Sequence, residues 1–233
     1  MNFKKITVLF DMHGCPNRCK HCWIESSPNT KMDLQQIKLI TEEFEKYTNN
    51  LEINTWNREP DYPDNYKELW ALDNELSHNE TPQRFELCSF YRLYRDPNYI
   101  DWLKEFDVKV YQLTLFGLET NTDHYIGRKG AFNEIVNATN ILLDNGLIPR
   151  WQYFVYKDTL ADLDEVIALS KELRLEERSK ANGGEFKFFI HEGTCDGKLE
   201  SYMISGLLSM TLNQFLKSYI KVELKLKNHC VKL

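Results

Sequence analysis

The chain has 233 residues, 42% hydrophobic and 27% charged, with 29 basic residues against 35 acidic ones for a net charge of −6. That balance is ordinary for a soluble globular protein with an ample core, and its acidity argues against a general nucleic-acid-binding surface. No run of about 18 apolar residues is present for a membrane span, and no signal-peptide pattern follows Met1, so the expectation is cytoplasmic, with no membrane partner.

The first element is an apolar, strand-like run over 5–11, and it leads directly into a loop that holds Cys15, Cys19 and Cys22. Asp33, with Gln36 three residues on, predicts a capped helix whose inner face carries Ile37, Ile40, Thr41, Phe44 and Tyr47. Asn49-Asn50 ends it, and 51–56 is the second strand, followed by Asn57-Arg58-Glu59-Pro60 and a helix over about 65–77. Residues 84–89 form a short third strand candidate, and Asp96-Pro97 starts a helix that runs through Phe106.

The segment 108–116 is the most strand-like in the chain, being rich in β-branched and aromatic residues. Gly117-Leu118-Glu119 closes it, and a long loop leads to Gly130. A helix then presents Phe132, Ile135, Val136, Thr139, Leu142 and Leu143 on one face and stops at Asn145-Gly146. The fifth strand is 150–156, and a helix over about 160–175 turns Leu163, Val166, Ile167 and Ser170 inward. The sixth strand is 185–191. Strand and helix alternate six times, which predicts an α/β fold of parallel β/α units. Residues 1–193 form that core and 194–233 a short extension. There, Thr211-Leu212-Asn213-Gln214 is a capping-box pattern, whereas 222–227 alternates like a strand, so helix and strand both stay open.

Half of the six cysteines fall in the C-x3-C-x2-C loop, a pattern that in a reducing compartment points to metal. Fe–S clusters normally take four thiolates, so three leave one iron for an outside ligand. Zinc would need a fourth donor, for which His13 or His21 can be nominated, but no second C-x2-C supplies the usual second pair. Cys88, Cys195 and Cys230 are scattered; a small buried thiol such as Cys88 is ordinarily a core residue.

With the three cysteines after the first of six β/α strands, the sequence resembles the radical S-adenosylmethionine (radical SAM) enzymes over roughly residues 6–193. The resemblance implies a partial (β/α)6, TIM-like barrel. It also implies a 4Fe–4S cluster on Cys15, Cys19 and Cys22, with S-adenosylmethionine chelating the fourth iron through its amine and carboxylate. Reductive cleavage would give methionine and a 5′-deoxyadenosyl radical that abstracts hydrogen from a substrate.

Asn57-Arg58-Glu59-Pro60 stands where the family has Gly-Gly-Glu-Pro, so Glu59 would accept a hydrogen bond from the methionine amine, while both glycines are replaced. Leu113-Thr114-Leu115-Phe116-Gly117 resembles the segment whose hydroxyl meets the ribose, which nominates Thr114. Glu119 is a further ribose candidate. Asp123-His124, Gly127-Arg128 and Gly130-Ala131-Phe132 resemble the next loop of peptide-modifying and maturase members, and Arg128 would meet the cofactor carboxylate. Gln152 on the fifth strand is a further candidate, and the adenine is expected near His21 and Ile190. No side chain is assigned as a general acid or base.

Independently of the family, functional groups of parallel β/α barrels gather at the C-terminal ends of strands. The cysteines, Glu59, Cys88-Ser89, Gly117-Leu118-Glu119, Tyr156 and His191-Glu192-Gly193 all fall there. Plainer roles stand beside each nomination: a helix-dipole carboxylate for Glu59, a strand residue for Thr114, a loop acceptor for Glu119, a surface ion pair for Arg128 and a structural amide for Gln152. The resemblance further implies flavodoxin or ferredoxin as reductant and a peptide, protein or small-molecule substrate. The Cys-rich C-terminal extension of many peptide-modifying members is expected to be absent, or the chain to have been shortened, so one cluster is expected. No N-terminal peptide-recognition domain is expected, because the first strand begins so soon after Met1. The alternative is a non-catalytic Fe–S or zinc protein that uses the same loop for sensing or scaffolding.

Overall fold

A computed structural model describes residues 2–12, 14–22 and 32–192. The expectations for His13, Gly193, Cys195, Cys230 and the extension over 194–233 lie outside the described residues. Strands β1 (Ile6–Asp11) and β2 (Leu51–Trp56) pair in parallel, and β3 (Val110–Leu115), β4 (Ile148–Val155) and β5 (Lys187–Glu192) form a second parallel sheet in that order. This is the expected α/β architecture of parallel units, open rather than closed. Among the described residues no helix is long and apolar enough to cross a membrane.

The third predicted strand is corrected. Residues 84–89 form no strand and contribute one parallel bridge, Leu87 to Gln112, with Gln112 N–H donating to Glu86 O at 2.9 Å. The cause lies on the neighbouring edge. In β2 the N–H groups of Leu51, Ile53 and Thr55 donate to His78 O at 2.9 Å, to Ser77 Oγ at 3.0 Å and to the Asp73 carboxylate at 3.0 Å. Helix α2 (Tyr66–Leu76) thus takes, with the residues just after it, the donors that a continuous ladder would need.

Helix α1 (Leu34–Glu45) begins with the predicted capping box on Asp33, Gln36 Oε1 closing it at 3.2 Å. Its buried stripe is narrower than expected: Ile37 and Thr41 are buried, while Ile40 and Tyr47 are 36% and 43% exposed. The helix that was to run through Phe106 is only α4 (Tyr99–Leu103). Ahead of it lies an unforeseen turn of helix, α3 (Phe90–Arg95), capped by Ser89.

The long loop expected before Gly130 is mostly helix α5 (Glu119–Ile126). Its apolar periodicity is weak, and the tertiary anchoring of its start by Asp162, which accepts from Leu118 N–H at 2.8 Å and Asn121 Nδ2 at 2.9 Å, is invisible to a local pattern. Gly127, at φ +69°, ends it. Helix α6 (Ala131–Asp144) follows as predicted. The last predicted helix splits into a 3-10 turn (Leu160–Asp162), α7 (Leu163–Glu172) and α8 (Leu175–Ala181), broken where Arg174 takes φ +53°.

Each strand has an outer face against helices and an inner face away from them. On β3 and β4 the outer residues Tyr111, Leu113, Leu115, Trp151, Tyr153 and Val155 are buried in the main core, while Gln112, Thr114, Arg150, Gln152 and Phe154 look inward. A second, smaller core lies under α1 and α2 around Phe10, Ile37, Leu51 and Ile53.

Asp73 carries a testable consequence. Burial pushes its carboxyl from 3.8 up to about 7, against the hydrogen bonds from Thr55. The folded chain therefore holds this proton where the unfolded chain has lost it, so Asp73 lowers stability as pH rises from about 4 to about 7. Urea unfolding across that window is expected to show a shallower decline for Asp73→Asn than for the natural chain. Asp73→Ala, which strands the Thr55 N–H, is expected to cost about 2–3 kcal/mol. An unchanged pH dependence in the Asn variant would contradict the assignment.

Candidate functional site

The cysteine loop is pinned before any metal is considered. Arg18 N–H donates to Ile126 O at 2.9 Å and Lys20 N–H to Tyr125 O at 2.8 Å, so the loop lies against the last turn of α5. Gly127 is required at that contact: a Cβ there would collide with Arg18 O, quite apart from its positive φ. On the other side Glu59 N–H donates to Gly14 O at 3.1 Å. A Cβ at Gly14 would stand 2.7 Å from Asn57 Oδ1. Asn57, buried in place of a family glycine, therefore fills the space that the glycine at position 14 leaves open.

Cys15, Cys19 and Cys22 are free thiols, each half-buried. Burial, with Glu59 second, pushes the Cys15 thiol up to about 12; burial also raises Cys19, with Cys15 and then Glu59 adding to it. Thiolates in this loop thus need a cationic partner, which is what a metal centre supplies. Among the described residues no three His, Cys, Asp or Glu side chains converge on one point as a single ion would require. An Fe–S cluster takes each thiolate on its own iron, so three thiols at C-x3-C-x2-C spacing in one loop suit it.

Glu59 lies at the C-terminal side of β2, buried at 5% exposure. Its Oε1 accepts from Ser89 Oγ at 2.8 Å and Tyr91 N–H at 3.3 Å, and its Oε2 accepts from Asn17 Nδ2 at 3.3 Å. Burial pushes its carboxyl up to about 7, while Ser89, Tyr91 and Arg128 work in the other direction. The following turn is locked by Asp61, which holds φ +56°, accepts from Arg84 Nη1 at 2.7 Å and from Tyr99, and whose carbonyl accepts from Arg92 Nε at 2.7 Å. Arg58, the other departure from the glycine pair, lies 3.5 Å from Asp11 at the end of β1.

Arg128 reaches the same place from the α5–α6 turn. Its Nη1 and Nη2 donate to the two carboxylate oxygens of Glu134 at 2.7 and 2.6 Å, and its Nε donates to Asn17 Oδ1 at 2.9 Å. Burial acts to raise the Glu134 carboxyl, but Arg128 and Arg95 hold it below its ordinary value. The guanidinium is therefore committed to a two-pronged ion pair inside the fold.

The other nominated residues divide. Thr114 and Gln152 are register partners on the inner face of β3 and β4, and Gln112 Nε2 donates to Gln152 Oε1. The His21 ring lies 4.8 Å from that of Phe116 and 5.4 Å from that of Phe154, which brings the cysteine loop over the end of this inner face. Ile190 packs on the outer core, and its neighbours Phe189 and His191 share the face with Gln152 and Phe154. Glu119 is exposed and accepts from Asn133 Nδ2 at 3.1 Å. Cys88 is a core thiol, as expected.

Asn17 and Glu134 received no role from the sequence, and Ser89 only a place among the strand-end groups. Their signals were a polar residue between two cysteines, a serine closing a strand candidate, and an acid inside the apolar stripe of α6. Each becomes legible only through its long-range partner.

No curated protein matches the chain by sequence. Solved structures match its fold. SuiB of Streptococcus suis bound to the precursor peptide SuiA aligns with a TM-score of 0.55 at 13% identity, over 96% of this chain and 47% of SuiB. SuiB bound to S-adenosylmethionine aligns with a TM-score of 0.55 at 12% identity, over 95% and 49%. The protein anSMEcpe with bound AdoMet and the Kp18Cys peptide aligns with a TM-score of 0.56 at 13% identity, over 91% and 61%. This chain thus spans about half the length of SuiB and about three-fifths of anSMEcpe. At these identities the likeness shows the fold, an open (β/α) barrel. The family model described as the radical SAM superfamily matches residues 9–179, most of the chain, and the chain belongs to that superfamily.

Proposed function

We propose that residues 1–193 form the catalytic barrel of a radical SAM enzyme that uses one 4Fe–4S cluster, held by Cys15, Cys19 and Cys22, together with S-adenosylmethionine. When bound, that pair supplies one-electron cleavage of the sulfonium and the hydrogen-atom abstraction that follows. The observation that carries this reading is the joining of a three-thiol loop to a buried carboxylate, Glu59, by a residue of the loop itself, Asn17.

The chain's own residues orient and enclose. Glu59, its carboxylate held by three donors, accepts the methionine ammonium. Thr114 and Gln152 offer polar atoms along the inner wall for the ribose, and the rings of His21, Phe116 and Phe154 form an apolar end that excludes water from the adenosine side. Electrons come from a small carrier such as flavodoxin or ferredoxin. A peptide or protein substrate is supported by SuiB and anSMEcpe, whose structures hold peptides.

Two outcomes test the reading. Anaerobic reconstitution with iron and sulfide, then reduction and addition of S-adenosylmethionine, is expected to release 5′-deoxyadenosine, and Cys19→Ala to abolish it; a colourless protein holding stoichiometric zinc and releasing none would contradict it. Glu59→Gln is expected to weaken cofactor binding about tenfold or more, and Ser89→Ala, which removes the 2.8 Å donor to Glu59, by less. Equal affinity in all three proteins, measured by equilibrium dialysis, would remove Glu59 from the site.

A further inference from the structure

We infer that Asn17 is the positioning residue that fixes the Glu59 carboxylate relative to the cysteine loop, and that Arg128 and Glu134 act through it. The inference rests on the function proposed above, because it concerns how the cofactor amine is met. Its evidence is a chain of contacts that crosses the site: Glu134 to Arg128 at 2.6 and 2.7 Å, Arg128 Nε to Asn17 Oδ1 at 2.9 Å, and Asn17 Nδ2 to Glu59 Oε2 at 3.3 Å.

Chemistry sets the direction of that chain. A guanidinium only donates, so the amide oxygen of Asn17 must face Arg128 and its NH2 group must face Glu59. The fork of Arg128 is fully taken by Glu134, so the side chain cannot rotate away without breaking a part-buried two-pronged pair. Asn17 is itself buried at 6% exposure and lies between Cys15 and Cys19. Its NH2 group holds Oε2, while Ser89 and Tyr91 hold Oε1. A carboxylate fixed at both oxygens has one orientation, and a second lone pair on Oε2 remains to accept an ammonium. The Glu59 N–H to Gly14 O bond sets the backbone spacing between loop and carboxylate, and the Asn17 bond adds the side-chain orientation.

Asn17→Asp separates positioning from space-filling. The aspartate has the same shape and can still accept from Arg128, so it keeps the packing and the Arg128 contact and changes only the side facing Glu59. It cannot donate to Glu59, and it places two carboxylates side by side. Asn17→Ala, which removes both contacts, is the second variant. Both are to be reconstituted beside the natural protein, and read by iron content, by the change in the reduced cluster's EPR spectrum on adding S-adenosylmethionine, and by KM and kcat for 5′-deoxyadenosine release.

Expected is unchanged iron content in both, a KM for S-adenosylmethionine raised about tenfold or more, and a weakened cofactor-induced EPR change, with Asp at least as damaging as Ala. A KM within about twofold of the natural value for the Asp variant overturns the inference, since that difference is under about 0.5 kcal/mol. Loss of iron in both variants also overturns it, because the residue would then only hold the loop. Failure of the natural protein to release 5′-deoxyadenosine would instead strike the proposed function, so the two failures are told apart.

Discussion

A buried carboxylate has to be surrounded by donors, and Glu59 gathers them from separate parts of the chain: Asn17 from the cysteine loop, Ser89 and the Tyr91 N–H from the start of α3. The need to satisfy that one group draws β1's loop, β2's end and the residues after 84–89 to a common point. Arg128 and Glu134 extend the connection to α6. Where a continuous ladder would have held β2 to its neighbour, this polar junction and the Asp61–Arg84 pair hold it instead.

The broken ladder and the junction have a common logic. Helix α2 spends Asp73 on the edge of β2, which stops a strand from docking there and leaves 84–89 as an irregular segment. An irregular segment can turn sharply, and Ser89 then both caps α3 through Arg92 N–H at 3.0 Å and donates to Glu59 at 2.8 Å. Its one proton goes to the carboxylate because its acceptor side is used by the helix. The substitution of two family glycines by Asn57 and Arg58 is absorbed in the same local way, by Gly14 on one side and Asp11 on the other.

Much of this was legible in the sequence wherever the cause is local. The C-x3-C-x2-C spacing, the Asp33–Gln36 capping box and the β-branched run at β3 announce themselves within a few residues. What was not legible depends on partners far along the chain. The start of helix α5 is held by Asp162 from far along the chain, at a separation of 44 between Leu118 and Asp162. The predicted strand at 84–89 fails because of side chains on α2. Arg128 was nominated through the resemblance of its loop to peptide-modifying members, yet no local pattern could announce that Glu134 and Asn17 would claim all three of its nitrogens.

In the function proposed above, Cys15, Cys19 and Cys22 would hold a cluster that leaves one iron for S-adenosylmethionine, whose amine Glu59 would meet. The direct measurement is ENDOR spectroscopy on the reduced, reconstituted protein with S-adenosylmethionine carrying an isotope label at its amine nitrogen. The account predicts a cluster signal that shifts on adding the cofactor and couples to the labelled nitrogen. A cluster signal that neither shifts nor couples would contradict it.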